Sequence, residues 1–179
     1  MALNVELLES SFAKIKPSGP QFAASFYTNL FESAPAAKPL FAHVDPESQQ
    51  KKLLASLVLV VENLRNGDVL GSTLRGLGAR HVQYGALPEH YPLVGAALLQ
   101  TFEQYLGDDW KPAVKQAWVD AYGAITELML DGADYSAGEV ALSAEAATAL
   151  VVADGNRGGM IPLAVTLAGF VVLGVILVL

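Results

Sequence analysis

The 179-residue chain contains no cysteine. That absence excludes disulfides, thiolate nucleophiles and cysteine-based zinc or iron–sulfur sites. Basic residues are also few: 11 Lys and Arg stand against 18 Asp and Glu, a formal net charge of -7. Without a basic run the chain lacks the clustered cations that phosphate contacts need, so nucleic acid is not an expected partner. Charged residues make up only 16% of the chain and apolar ones 53%, more apolar than the usual soluble balance. No stretch alternates like a strand between hairpin turns. No Gly-x-Gly-x-x-Gly occurs, so the dinucleotide-binding fingerprint is missing. The amino terminus, MALNVELLESS, is acidic and lacks a long apolar run, and no secretory signal is expected there.

What is present is helical periodicity, which makes the expected class all-α. One stripe holds Val5, Leu8, Phe12 and Ile15, and it breaks at Pro17-Ser18-Gly19-Pro20. A second holds Phe22, Phe26 and Leu30, followed by a short helical turn to Phe41. The next opens at Asp45-Pro46, where Asp caps and Pro suits the first turn. It runs through Leu53, Leu57, Val60, Val61 and Leu64 to an expected stop at Asn66-Gly67. Leu70, Leu74, Leu77 and His81 share the following face, closed by Gly85 and Pro88. A helix from Pro88 or Glu89 carries Tyr91, Val94, Leu98, Phe102 and Tyr105. The last long one is expected from about Asp108 to Leu130, with Val114, Trp118, Ala121, Ile125 and Leu128 inward.

Three regions follow from composition: a domain over 1–135, a partly helical linker over 136–160, and an apolar segment over 161–179. The last has 19 residues without a charged side chain. As a helix it would span roughly 28 Å, close to a hydrocarbon core. A docked surface helix would keep a polar face, and this one has only Thr166. The segment is therefore expected to be a carboxy-terminal transmembrane anchor, leaving the first domain in the cytosol.

His81 is the candidate with the most chemistry. A lone histidine on an apolar helical face is more often a packed residue than a ligand. Here Leu70, Leu74 and Leu77 share its face and would form an apolar wall for a porphyrin. Tyr91 lies beyond the Pro88 turn that folds the next helix back. Phe41, Gln49 and Leu53 supply a second wall upstream.

The segment Arg80-His81, then Pro88-Glu89-His90-Tyr91, then Val94-Gly95-Ala96-Ala97-Leu98-Leu99, combines with Phe26 to Phe31 (FYTNLF) and Pro39-Leu40-Phe41. In these motifs, over about residues 5 to 135, the chain resembles the single-domain bacterial globins and the haem domains of flavohaemoglobins. That resemblance implies a three-on-three helical globin fold and haem b. It places iron on His81 and ring stacking on Phe41. It also implies cofactor contacts from Leu53, Leu77, Tyr91 and Val94. Tyr27 and Gln49 would hydrogen-bond a diatomic ligand beneath an apolar lid at Leu53. Helical phase prefers Gln49 to Gln50, since a shift by one would turn Glu62 inward unpaired. The bland alternatives are a core tyrosine and a solvated glutamine.

One departure concerns the proximal side. The family sets a buried Glu late in the last helix beside the His–Tyr pair, and Ala133 falls at that place here. Asp134 is adjacent, while Asp131 and Glu127 lie a turn or more earlier. His43 and His90 read as exposed loop and helix-surface residues, with a haem-edge contact as the alternative for His43. Two functions stay open: an O2-binding globin that converts NO using an external reductase, with Tyr27, Gln49 and Tyr91 as candidate catalytic groups, or a non-catalytic O2 binder or sensor. A haem-free interaction module is a third.

Overall fold

The computed structural model describes residues 3–133. The linker, the apolar segment at 161–179 and Asp134 lie outside the described residues. No helix among the described residues is long and apolar enough to cross a membrane. Six α-helices account for most of them: α1 Val5–Ile15, α2 Gly19–Ser33, α3 Pro46–Glu62, α4 Gly67–Gln83, α5 His90–Leu106 and α6 Pro112–Gly132. Short 3-10 turns cover Lys16–Ser18, Pro35–Phe41 and Gly107–Asp109, and no strand occurs among the described residues.

Side-chain caps explain several boundaries. The Asn4 side chain accepts from Leu7 N at 3.2 Å, and Asp45 accepts from Ser48 N at 2.7 Å. Asn66 corrects a boundary. It was expected to end α3, but α3 ends at Glu62 and Asn66 caps the start of α4 by accepting from Val69 N. The last helix likewise begins at Pro112 rather than Asp108, because 107–109 tighten into a 3-10 turn and Pro112 suits the first helical turn.

Helices α4 and α6 form the broadest contact, followed by α2 with α5. Their close approach depends on glycine. A Cβ on Gly78 would run into the Met129 backbone, and one on Gly132 into that of Arg75. Two apolar clusters result. The larger joins α1, α2, α5 and α6 around Phe22, Phe102 and Trp118, with the Phe102 and Trp118 rings stacked at 3.9 Å. Trp118 Nε1 donates to Ser11 Oγ at 3.0 Å, so its buried N–H is satisfied. The smaller holds Val60, Leu70, Leu74, Tyr91 and Met129. The cleft between them takes wall residues from both.

Candidate functional site

His81 lies four residues after Leu77 and seven after Leu74, so the three share one side of α4. The ring is 8% exposed. Its Nδ1 lies 2.9 Å from the Leu77 carbonyl oxygen. A carbonyl only accepts, so Nδ1 carries the proton and Nε2 keeps its lone pair. Burial lowers the His81 pKa, assisted by the Arg80 charge, against the opposing pull of the Leu77 bond. At neutral pH the imidazole is uncharged, the form that ligates metal.

Around it opens a cleft of about 1170 Å³ of empty space, counting its mouth. The lining is overwhelmingly apolar and contains no Lys, Arg, Asp or Glu. Phe41, Leu53, Leu77, His81, Tyr91 and Val94 all line it. The Tyr91 ring is 6.3 Å from that of His81.

Tyr27 and Gln49 are brought to each other but not to the cleft wall. Both are buried, at 8% and 2% exposure. The Tyr27 hydroxyl donates to the Gln49 main-chain oxygen at 3.5 Å, the outer limit for such a bond. Its ring meets Phe26 and Phe41 edge-on, at 5.0 and 5.6 Å, and both of these line the cleft. Burial raises the Tyr27 pKa, with Gln49 acting in the opposite direction, and the phenol keeps its proton.

His90 departs from expectation. It is half-buried and lines the cleft rather than facing solvent. The reason is local: α5 starts at His90, and the loop before it folds back so that Leu87 N donates to His90 Nδ1 at 3.1 Å. His43 is exposed and does not line the cleft.

Helix α6 contributes residues that sequence reasoning missed: Tyr122, Thr126 and Met129, beside the expected Ile125. Tyr122 fits because Gly95 faces it. A Cβ there would lie 2.5 Å from the ring. The Tyr122 hydroxyl donates to the Tyr91 carbonyl at 2.7 Å and lies beside Thr126, and burial raises its pKa. The available signal was the row 122, 125, 126, 129 opposite a glycine in α5. No described carboxylate supports His81. Asp131 pairs with Arg75 at 2.5 Å on the surface, Glu127 is exposed, and Ala133 is buried at 6% exposure.

The sequence model of the family described as Globin matches residues 24–129. This chain belongs to the globin family. Among curated relatives, a flavohaemoprotein of Deinococcus radiodurans is 29% identical over 126 residues, covering 69% of this chain and 31% of that protein. The chain thus spans about a third of the length of that relative. A leghaemoglobin of Canavalia lineata is 36% identical over 126 residues, covering 65% of this chain and 84% of its own. Among solved structures, an engineered carbene transferase from Rhodothermus marinus superposes with a TM-score of 0.63 at 25% identity, covering 82% of this chain and 95% of that one. Globin membership implies haem, and this cleft fits it. The lining is apolar, His81 with its Nδ1 committed to the Leu77 carbonyl keeps a lone pair on its other nitrogen, and aromatic rings bound the space.

Proposed function

We propose that this globin binds O2 and other diatomic ligands, NO among them, through haem b held by His81. The supporting observation is the His81 ring: Nδ1 is committed to Leu77, and Nε2 is left to a large apolar cleft. Haem supplies an iron with one coordination position open to a diatomic molecule.

The chain's residues do the rest. His81 Nε2 holds the metal, and the Leu77 carbonyl fixes the ring's tautomer and tilt. Phe41 offers an aromatic edge, while Leu53, Leu77 and Val94 keep water out and so strengthen any polar contact made inside. Tyr122 pins the Tyr91 main chain beside His81. We assign Tyr27 as donor to the diatomic ligand, with Gln49 beside it. NO dioxygenation is the reaction we assign, with electrons from a separate reductase. We further assign residues 161–179 as a membrane anchor that leaves the globin domain cytosolic, on the strength of their uncharged apolar run.

Absorption spectra of the full-length chain with haem test the first step. Wild type should give an imidazole-ligated spectrum, and His81→Ala should lose it; an unchanged spectrum in the variant would overturn the assignment. Stopped-flow mixing with NO in air-saturated buffer tests the second. Rapid stoichiometric nitrate supports dioxygenation, and persistent NO leaves an O2 binder or sensor. Removal of 161–179 should release the protein from membranes, and retention would reject the anchor.

A further inference from the structure

The acid groups of a haem are the part of the cofactor that an apolar cleft handles least well. A carboxylate that enters one needs a donor. No Lys or Arg lines this cleft. The first turn of α5 offers no main-chain alternative at its start, because His90 N donates to Leu87 O at 2.9 Å, Tyr91 N donates to Pro88 O at 3.3 Å, and Pro92 has no N–H. What remains there is the His90 side chain. Leu87 N donates to its Nδ1, so in the neutral ring Nε2 carries the proton and is a donor. His90 is half-buried and lines the cleft, and Leu93, three residues on along the same side, also lines it while 44% exposed. His90 therefore stands where the cleft meets solvent.

We propose that His90 is a cofactor-binding residue whose Nε2–H holds a carboxylate of the haem at the cleft mouth. This rests on the reading that the chain binds haem at His81. It gives the site two histidines with opposite tautomers and separate tasks. His81 is protonated at Nδ1 and offers a lone pair, while His90 is protonated at Nε2 and offers a donor. Each is fixed by a main-chain partner, Leu77 O or Leu87 N.

The test is a cycle on the full-length, haem-loaded protein, reading the rate at which haem transfers to an excess of acceptor apoprotein. Four combinations are compared: wild type and His90→Ala, each with haem and with haem dimethyl ester, which lacks both acid groups. His90→Ala should speed loss of ordinary haem about tenfold and leave loss of the ester nearly unchanged. The ester step controls for damage to the loop, since a lost Leu87 contact would speed both equally. Equal acceleration with both cofactors would refute the proposal, as would no acceleration with either. If wild type takes up neither cofactor, the haem reading itself fails, which is a separate outcome.

Discussion

Adding one methyl group at Gly95 should damage the site more than any exposed substitution of the same kind. Gly95 lies in α5 with the Tyr122 ring directly opposite. An ideal Cβ would sit 2.5 Å from Tyr122 Cε1 and 2.8 Å from Cδ1. Carbon contacts are comfortable at about 3.5–4.0 Å, so the ring must retreat by about 1 Å. The same ring is tethered through its hydroxyl to the Tyr91 carbonyl at 2.7 Å. A retreat of that size stretches the bond past useful range and forfeits about 1 kcal/mol. Overpacking a formed core costs about 1–3 kcal/mol. Against this, alanine gains up to about 1 kcal/mol over glycine as a helix former. The balance is a loss of about 1–3 kcal/mol.

Gly123 is the control, being helical and exposed with nothing within 4 Å of its Cβ position. Gly123→Ala should show the propensity gain alone. The two variants should therefore differ by about 2–4 kcal/mol in urea unfolding, read from midpoints at constant slope. Gly95→Ala with Tyr122→Ala should recover part of the packing loss, a non-additivity expected of contacting residues. If Gly95→Ala instead matched Gly123→Ala, the α5–α6 contact described above would be wrong.

At Gly78 the obstacle is the Met129 main chain, with its carbonyl carbon 2.6 Å from the Cβ position. Backbone cannot swing away as a ring can, so Gly78→Ala should cost at least about 3 kcal/mol, visible as a large drop in the thermal midpoint. Burial holds both His81 and His90 below the usual imidazole pKa. In the haem-free protein the unfolded chain takes up these protons first, so stability should fall as pH drops below about 6.5 and level off below the folded values. His90→Gln should make urea midpoints less steep between pH 7.5 and 5.5, and an unaltered slope would contradict its burial. Tyr27→Phe should lower stability by about 0.5–1.5 kcal/mol through the lost contacts with Gln49. O2 dissociation should speed by about 10-fold or more; an unaltered rate would remove Tyr27 from the ligand's environment.

Periodicity revealed the helices because each buries one continuous stripe, and positions such as Phe22, Phe26, Leu74 and Phe102 are buried as that rule requires. Boundaries were less legible where one residue type serves two purposes. Asn66-Gly67 reads as a stop, yet an asparagine side chain caps the helix that follows just as well. His81 was visible because its leucine neighbours repeat at helical spacing. Its tautomer was not, because that depends on a distance to Leu77 O.

Tyr122 and His90 were hidden for different reasons. Tyr122 reaches the cleft because a glycine on another helix leaves space for its ring, and a single helix's pattern says nothing about its neighbour's surface. His90 follows a proline-containing loop, where counting 100° per residue from Tyr91 assumes a helix that has only just begun. The rule placed His90 outward; the Leu87 N–H turned it inward. Periodicity is thus dependable for side chains whose positions a helix dictates and weak for those set by a fold-back. His90 is set by such a fold-back and Tyr122 by a glycine on the neighbouring helix, so variants at these two positions probe the site more sharply than variants along the leucine stripe.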